Sequence, residues 1–232
     1  MATTQTIPWK RIAVEAAAIV ASILLAFAID AWWEDRQTRI DEQQFLLGLR
    51  SEFATNREIL GSELSAHLKS LESLEDILTL IEGGQTDDAR LTALAALDEM
   101  QAPRTIDLGN GTLNALLSSG RVEILQNREL RTHLTAWEGV IGEVLDDQHN
   151  NAKMSLEIYI PYFVAKNYSL FAIERSSDGS AAIKQMSEDP RLRHLVEIRL
   201  GFKRHLTGEL ETAIAAAEEI LAEIETSIVD RD

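Results

Sequence analysis

The residues able to do chemistry are few and badly spaced for it. Cysteine is absent, which removes thiol nucleophiles and Cys-based zinc sites. The five histidines are His67, His133, His149, His194 and His205, and no two stand four apart as a pair of zinc ligands on one helix would. His194 and His205 share a helix face but lie about 16 Å apart along it. The densest ligand-type run, Asp146-Asp147-Gln148-His149, reads as a solvated helix face. No Glu-x-x-His motif supplies the ligands of a di-iron bundle. Gly109-Asn110-Gly111-Thr112 has half the form of a phosphate loop, without the GK[ST] ending or a preceding strand; it reads as a plain loop with Thr112 as a helix cap. Ser118-Ser119-Gly120 lacks the leading glycine of a nucleophile elbow. The expectation is therefore a chain that is not an enzyme, with no catalytic residue, no cofactor and no metal.

The element that dominates the chain is an apolar N-terminal run. Ala16 to Ile29 holds no charged residue, and the run from Ile12 to Trp33 takes in only Glu15 and Asp30. As a helix the longer stretch measures about 33 Å, enough to cross a bilayer. Trp9 precedes it and Trp32-Trp33 close it, where indoles favour the membrane–water boundary. Lys10 and Arg11 come before the run, and Glu34, Asp35 and Arg36 after it. The positive-inside rule then predicts residues 1–11 as a cytoplasmic tail, 12–33 as a transmembrane helix and 34–232 outside the cytoplasm. A cleaved signal peptide is the alternative, because Ala26-Phe27-Ala28 has the small-x-small form of a cleavage site. Glu15 within the run and the Trp pair beyond it favour a retained anchor.

Glu15, Ala18, Ser22, Ala26 and Asp30 fall on one helix face, spread over about 120°. Three readings of that face stand. The acids sit near the headgroups, with Glu15 reaching Arg11; the small residues form a homo-oligomer seam; or the acids line an ion path. The first is the simplest, since acids near an interface cost less than acids at the midplane.

Beyond the anchor, apolar residues recur at helical spacing. Leu46, Leu49, Phe53, Leu60, Leu64, Leu71, Leu74, Leu78 and Ile81, with Asn56 and His67 filling the seam, form a near-heptad with one stutter beside Gly61. This predicts one helix from about Pro8 to Glu82, its outer part at 34–82, ended by Gly83-Gly84. Short helices follow within 88–120: one over Arg90–Met100, capped by Asp87 or Asp88 and carrying Leu91, Leu94 and Leu97, and one from Asn110-Gly111-Thr112 to Ser119-Gly120. Asn127 caps a helix over 128–168, with a kink or break near Pro161 and with Leu130, Leu134, Trp137, Ile141, Val144 and Leu145 on one side. A loop is expected over 169–188. Asp189-Pro190 then starts a helix over 190–229, through Leu192, Leu195, Phe202, Leu206, Leu210, Ala217, Leu221, Ile224 and Ile228. The fold class is all-α: a transmembrane helix continuing into a long helix, packed with an antiparallel extracytoplasmic helical bundle.

Charge narrows the partners. With 22 Lys+Arg against 38 Asp+Glu the net charge is −16, which argues against nucleic acid, whose phosphates reward clustered cations. Lys10 and Arg11 cancel Glu15 and Asp30, so the whole excess lies after Trp33.

Two stretches carry a resemblance. The first is Ile23-Leu24-Leu25-Ala26-Phe27-Ala28-Ile29-Asp30-Ala31-Trp32-Trp33-Glu34-Asp35-Arg36, leading into Glu42, Leu46, Leu49, Arg50, Glu52 and Asn56. The second is Leu116-Leu117-Ser118-Ser119-Gly120, then Asn127-Arg128-Glu129-Leu130-Arg131 and Trp137. Together they resemble a family of uncharacterised bacterial single-pass membrane-anchored proteins, a domain of unknown function. That family has an apolar helix ending in an Asp/Asn-x-Trp-type motif and a Leu-x-Ser-Ser-Gly … Asn-x-x-Leu-Arg segment. Its members often carry Asn at the Asp30 position and a Tyr pair where this chain has Trp137. The resemblance implies a retained anchor in a bacterial inner membrane and implies no activity. The expected role is an interaction or scaffold module, with membrane lipid and an unidentified protein as partners. A small-ligand sensor signalling through a membrane partner and an oligomeric channel or transporter accessory are the alternatives.

Overall fold

The computed structural model describes residues 9–83, 88–101, 104–168 and 180–229, and every regular element among them is helical. The first helix, α1, runs unbroken from Trp9 to Ile81, because no proline or turn-forming pair interrupts it. It ends at Gly83, whose φ of +84° suits the turn out of the helix. Its near-heptad face is buried at Leu46, Leu49, Phe53, Asn56, Leu60, His67 and Leu74, while Leu64, Leu71, Leu78 and Ile81 are half-buried against the core.

Six shorter or later helices build on that face: α2 (Ala89–Gln101), α3 (Gly111–Ser118), α4 (Arg128–Met154), α5 (Ile160–Lys166), α6 (Ser180–Ser187) and α7 (Pro190–Val229). A single 3-10 turn, Arg121–Ile124, separates α3 from α4. The 40-residue α7 runs back along α1 and also packs on α4, so α1, α4 and α7 form the spine of an up-and-down bundle.

The helix starts are largely those the local sequence encodes. Asp88 Oδ1 accepts Leu91 N–H at 3.1 Å, and Asn127 Oδ1 accepts the N–H groups of Glu129 and Leu130 at 2.9 and 3.1 Å. Asp87 lies outside the described residues. Asp189 caps α7 through Arg191 N–H at 3.1 Å, and its other oxygen accepts Tyr162 Oη–H at 2.7 Å, Tyr168 Oη–H at 2.9 Å and Lys166 Nζ at 2.8 Å. Burial alone would raise this carboxyl, but the bonds from Lys166, Tyr162 and Tyr168 outweigh it and hold Asp189 far below the usual range.

Several expectations change. Thr112 is not the cap of α3. Glu52, reaching across from α1, accepts Thr112 N–H at 2.6 Å and Leu113 N–H at 3.2 Å, so a carboxylate sits at the positive end of the helix. Gly48, one turn earlier on α1, makes that approach feasible, since a Cβ there would lie 2.9 Å from the Thr112 methyl. Within the expected loop over 169–188, α6 occupies Ser180–Ser187; residues 169–179 are outside the described set.

The break expected near Pro161 is a π-turn, Ser155–Tyr159, directly ahead of α5. One wide turn absorbs the hydrogen bond that proline cannot make. On α2 the inward face is Ala93, Ala96, Leu97 and Met100, whereas Leu91 is exposed. Leu145 and Phe202 also face outward, and on α7 the inward positions between Leu195 and Leu206 are Val196, Arg199, Leu200 and Lys203.

The Glu52 cap can be tested directly. Glu52→Ala lowers unfolding stability by about 1–2 kcal/mol, while Glu52→Gln, which keeps an acceptor, loses less. Denaturant unfolding of the full chain in detergent, followed by circular dichroism, measures both.

Candidate functional site

The apolar segment and the bundle are parts of one helix with opposite surroundings. Every side chain from Ala13 to Gln37 is exposed, and the most apolar 18-residue window there has a mean hydropathy of 2.1 with none of it buried. Leu25, Phe27 and Trp33 are each more than 60% exposed, which no ordinary water-facing helix surface would present as a continuous run. This is one helix long and apolar enough to cross a membrane, near the N-terminus.

Glu15, Ala18, Ser22, Ala26 and Asp30 all lie on this uncovered length, and Ser22 Oγ–H donates back to Ala18 O at 2.8 Å. Trp32 and Trp33 stand side by side, exposed, with ring centroids 6.4 Å apart. The side chains of Trp9, Lys10 and Arg11 lie outside the described residues.

Where the uncovered helix meets the bundle, a polar collar ties three elements together. Glu42, buried on α1, accepts Gln126 N–H at 2.8 Å just before α4. Asn127 Nδ2 donates to Glu223 Oε2 at 2.7 Å and to Ser227 Oγ at 3.2 Å on α7. Arg121 pairs with Asp41 and lies over the Phe45 ring, and that guanidinium, with Gln37, holds the Asp41 carboxyl below its usual range. Outside this collar lies an open groove of about 1010 Å³, lined on the α1 side by Trp32, Arg36 and Arg39.

Further along the bundle, a polar layer separates two apolar clusters. The first cluster centres on Phe53, which meets Trp137 edge-on at 5.0 Å; the second gathers Leu74, Leu97, Tyr159, Phe163 and Val196. Between them Lys203 Nζ sits 2.5 Å from Glu99 Oε1 and donates to His67 Nδ1 at 3.1 Å, which leaves the ring proton on Nε2. Arg199 donates to Glu99 O at 2.9 Å and to the Asn151 side chain, with its guanidinium over the Tyr159 ring at 5.3 Å.

Burial lowers both Arg199 and Lys203. Burial also pushes the Glu99 carboxyl up, but the Lys203 ammonium outweighs it and holds Glu99 low. His67 is lowered to about 4, first by burial and then by Lys203. The layer encloses two cationic side chains and one carboxylate, and the second cation meets the Glu99 carbonyl, the Asn151 side chain and the Tyr159 ring face, with its Nε unpartnered. It ties α1, α2, α4 and α7 together at one level of the bundle.

Sequence reading missed this layer, because Arg199 and Lys203 look like surface residues; only their i, i+4 spacing on the α7 seam marked them. It also treated Asp146-Asp147-Gln148-His149 as one solvated face. In fact Gln148 is buried and donates to Arg104 O at 2.8 Å, and Asp147 is half-buried facing α7, beside His205 and Glu209; Asp146 and His149 are exposed. Those three are the one group of metal-type donors that converges among the described residues.

No protein family, curated protein or solved structure matches this chain significantly.

The His67 environment sets an acid limit on stability. His67 stays neutral when folded down to about pH 4, but it charges near 6.5 when unfolded. Its contribution is whole above pH 6.5 and shrinks as pH falls to about 4, by about 3 kcal/mol in all. Lys203, Glu99, Glu63 and Arg104 are the charges that bear on it. His67→Asn, which keeps an acceptor for Lys203, flattens this part of the pH profile in denaturant titrations between pH 7 and 4.

Proposed function

We propose that this chain is a single-pass membrane protein that holds an acidic helical bundle outside the cytoplasm as an interaction or scaffold module. The observation that carries the reading is the uncovered apolar third of α1, continuous in one helix with a length that is packed along its inner face. A core helix of a soluble protein would bury such residues; this one offers them to lipid. Trp32 and Trp33 then stand at the outer interface, and Arg36 and Arg39 reach headgroup phosphates one turn further on. The helix continues unbroken through Ala26-Phe27-Ala28 and into the collar, which supports a retained anchor. The resemblance to membrane-anchored proteins of a bacterial inner membrane supports the same placement.

The acidic excess fits a bundle that stands off the bilayer, because an anionic headgroup layer repels it.

The topology has a direct test. Protease added to intact spheroplasts cleaves the bundle and leaves only a small membrane-embedded fragment carrying an N-terminal tag. Full protection until the membrane is lysed would reverse the orientation, and recovery of a soluble chain beginning after Ala28 would make the apolar run a cleaved leader. Oxidative crosslinking of Ser22→Cys chains in the same membranes reads the Glu15–Asp30 face: a disulfide dimer assigns it as a seam, and monomer alone removes that reading.

A further inference from the structure

His205 and Glu209 stand one turn apart on α7, so their side chains share a face, and Asp147 meets them from α4. His205 Nε2 lies 3.2 Å from Glu209 Oε1 and 3.6 Å from Asp147 Oδ2, and one donor atom from each residue falls within 4.8 Å of the others. A tetrahedral ion with nitrogen and oxygen ligands at about 2.0–2.2 Å holds those ligands about 3.3–3.6 Å from one another. The His205 distances bracket that edge length, and 3.6 Å is too long for a direct hydrogen bond.

A second observation is independent of the spacing. Asp147 Oδ2 and Glu209 Oε2 are closed off from solvent and accept no hydrogen bond from any described group. Carboxylate oxygens in that condition have lost water without gaining a donor, which is costly unless a cation supplies the missing charge. Glu143 stands one turn before Asp147 on α4. Beside the cluster lies a hollow of about 340 Å³, bordered by Gly139, Val140, Glu143, Glu209 and Thr212.

The geometry points to a divalent transition-metal site of the zinc type, with His205, Asp147 and Glu209 as its protein ligands. One imidazole with two carboxylates suits a borderline ion such as Zn²⁺ over Mg²⁺ or Ca²⁺, which take all-oxygen shells. Three protein ligands leave a position for water or for a donor from a partner. Clamped between α4 and α7, the ion would join two spine helices of the bundle. The site lies on the bundle itself, so it holds whichever way α1 crosses the membrane.

The experiment uses the full chain in detergent, stripped with EDTA and titrated with Zn²⁺ by calorimetry, with Co²⁺ as a visible-absorption probe. The expected result is one Zn²⁺ per chain, a higher Tm with metal than without, and Co²⁺ d–d bands of low coordination number. Ligand removal through His205→Ala, Asp147→Asn or Glu209→Gln weakens binding by more than about tenfold. His149→Ala, a nearby exposed histidine outside the cluster, leaves it unchanged. His205 is two-thirds exposed, so its alanine variant tests binding without disturbing the core. Absence of Zn²⁺ binding by the wild type, or binding that survives His205→Ala and Glu209→Gln unchanged, overturns the site. Displacement of Zn²⁺ by equimolar Mg²⁺ or Ca²⁺ overturns it too.

Discussion

One hydrogen-bonded ladder, α1, passes through two surroundings without a break, and the rest of the molecule is arranged to permit that. A helix satisfies its own backbone, so the same 73 residues can be bare over their first third and packed over the remainder. What changes along it is only the side chain. From Ala16 to Ile29 no charge interrupts the helix surface, and from Leu46 the apolar residues narrow to a stripe. The collar of Glu42, Asn127, Asp41 and Arg121 falls at the changeover between the uncovered and the packed lengths of α1.

The bundle then solves a second problem, that of register between long antiparallel helices. Leucine-rich seams slide at low cost, since one layer of branched aliphatics resembles the next. The buried layer of His67, Glu99, Asn151, Arg199 and Lys203 pairs its two cations with acceptors on other helices, and shifting α7 by a turn would leave both without them in the interior. The π-turn at Ser155–Tyr159 belongs to the same device. Ser155 Oγ–H donates to Met100 O at 3.2 Å, and the turn carries Tyr159 under the Arg199 guanidinium. Far from the membrane-facing end, Asp189 repeats the logic on a smaller scale, serving as a helix cap and as the acceptor for two buried tyrosines.

A scaffold reading sits well with this economy. Polar groups inside the bundle align its helices, and under the proposed topology its acidic exterior would be repelled by anionic lipid. The cluster on α4 and α7 differs in composition, because it sets two carboxylates around a single imidazole.

Much of the architecture is written locally. Side-chain periodicity and capping chemistry act within one or two turns, so the all-helical class, the extent of α1, the Asn127 and Asp189 starts and the Gly120 turn at φ +67° could all be read from neighbouring residues. The uncovered apolar run was equally legible, since length and hydropathy are properties of the chain alone. Tertiary packing decided what local sequence left open. Glu52 caps a helix about 60 positions away, and Arg199 and Lys203 turn inward because partners on α1 and α2 meet them. His205, a lone histidine on its own helix, becomes part of a ligand set when α4 brings Asp147 to within 3.6 Å. Hydrophobic spacing constrains which face of a helix turns inward, but a polar side chain's role depends on the charge or donor that another segment places against it. That juxtaposition exists only in the folded chain.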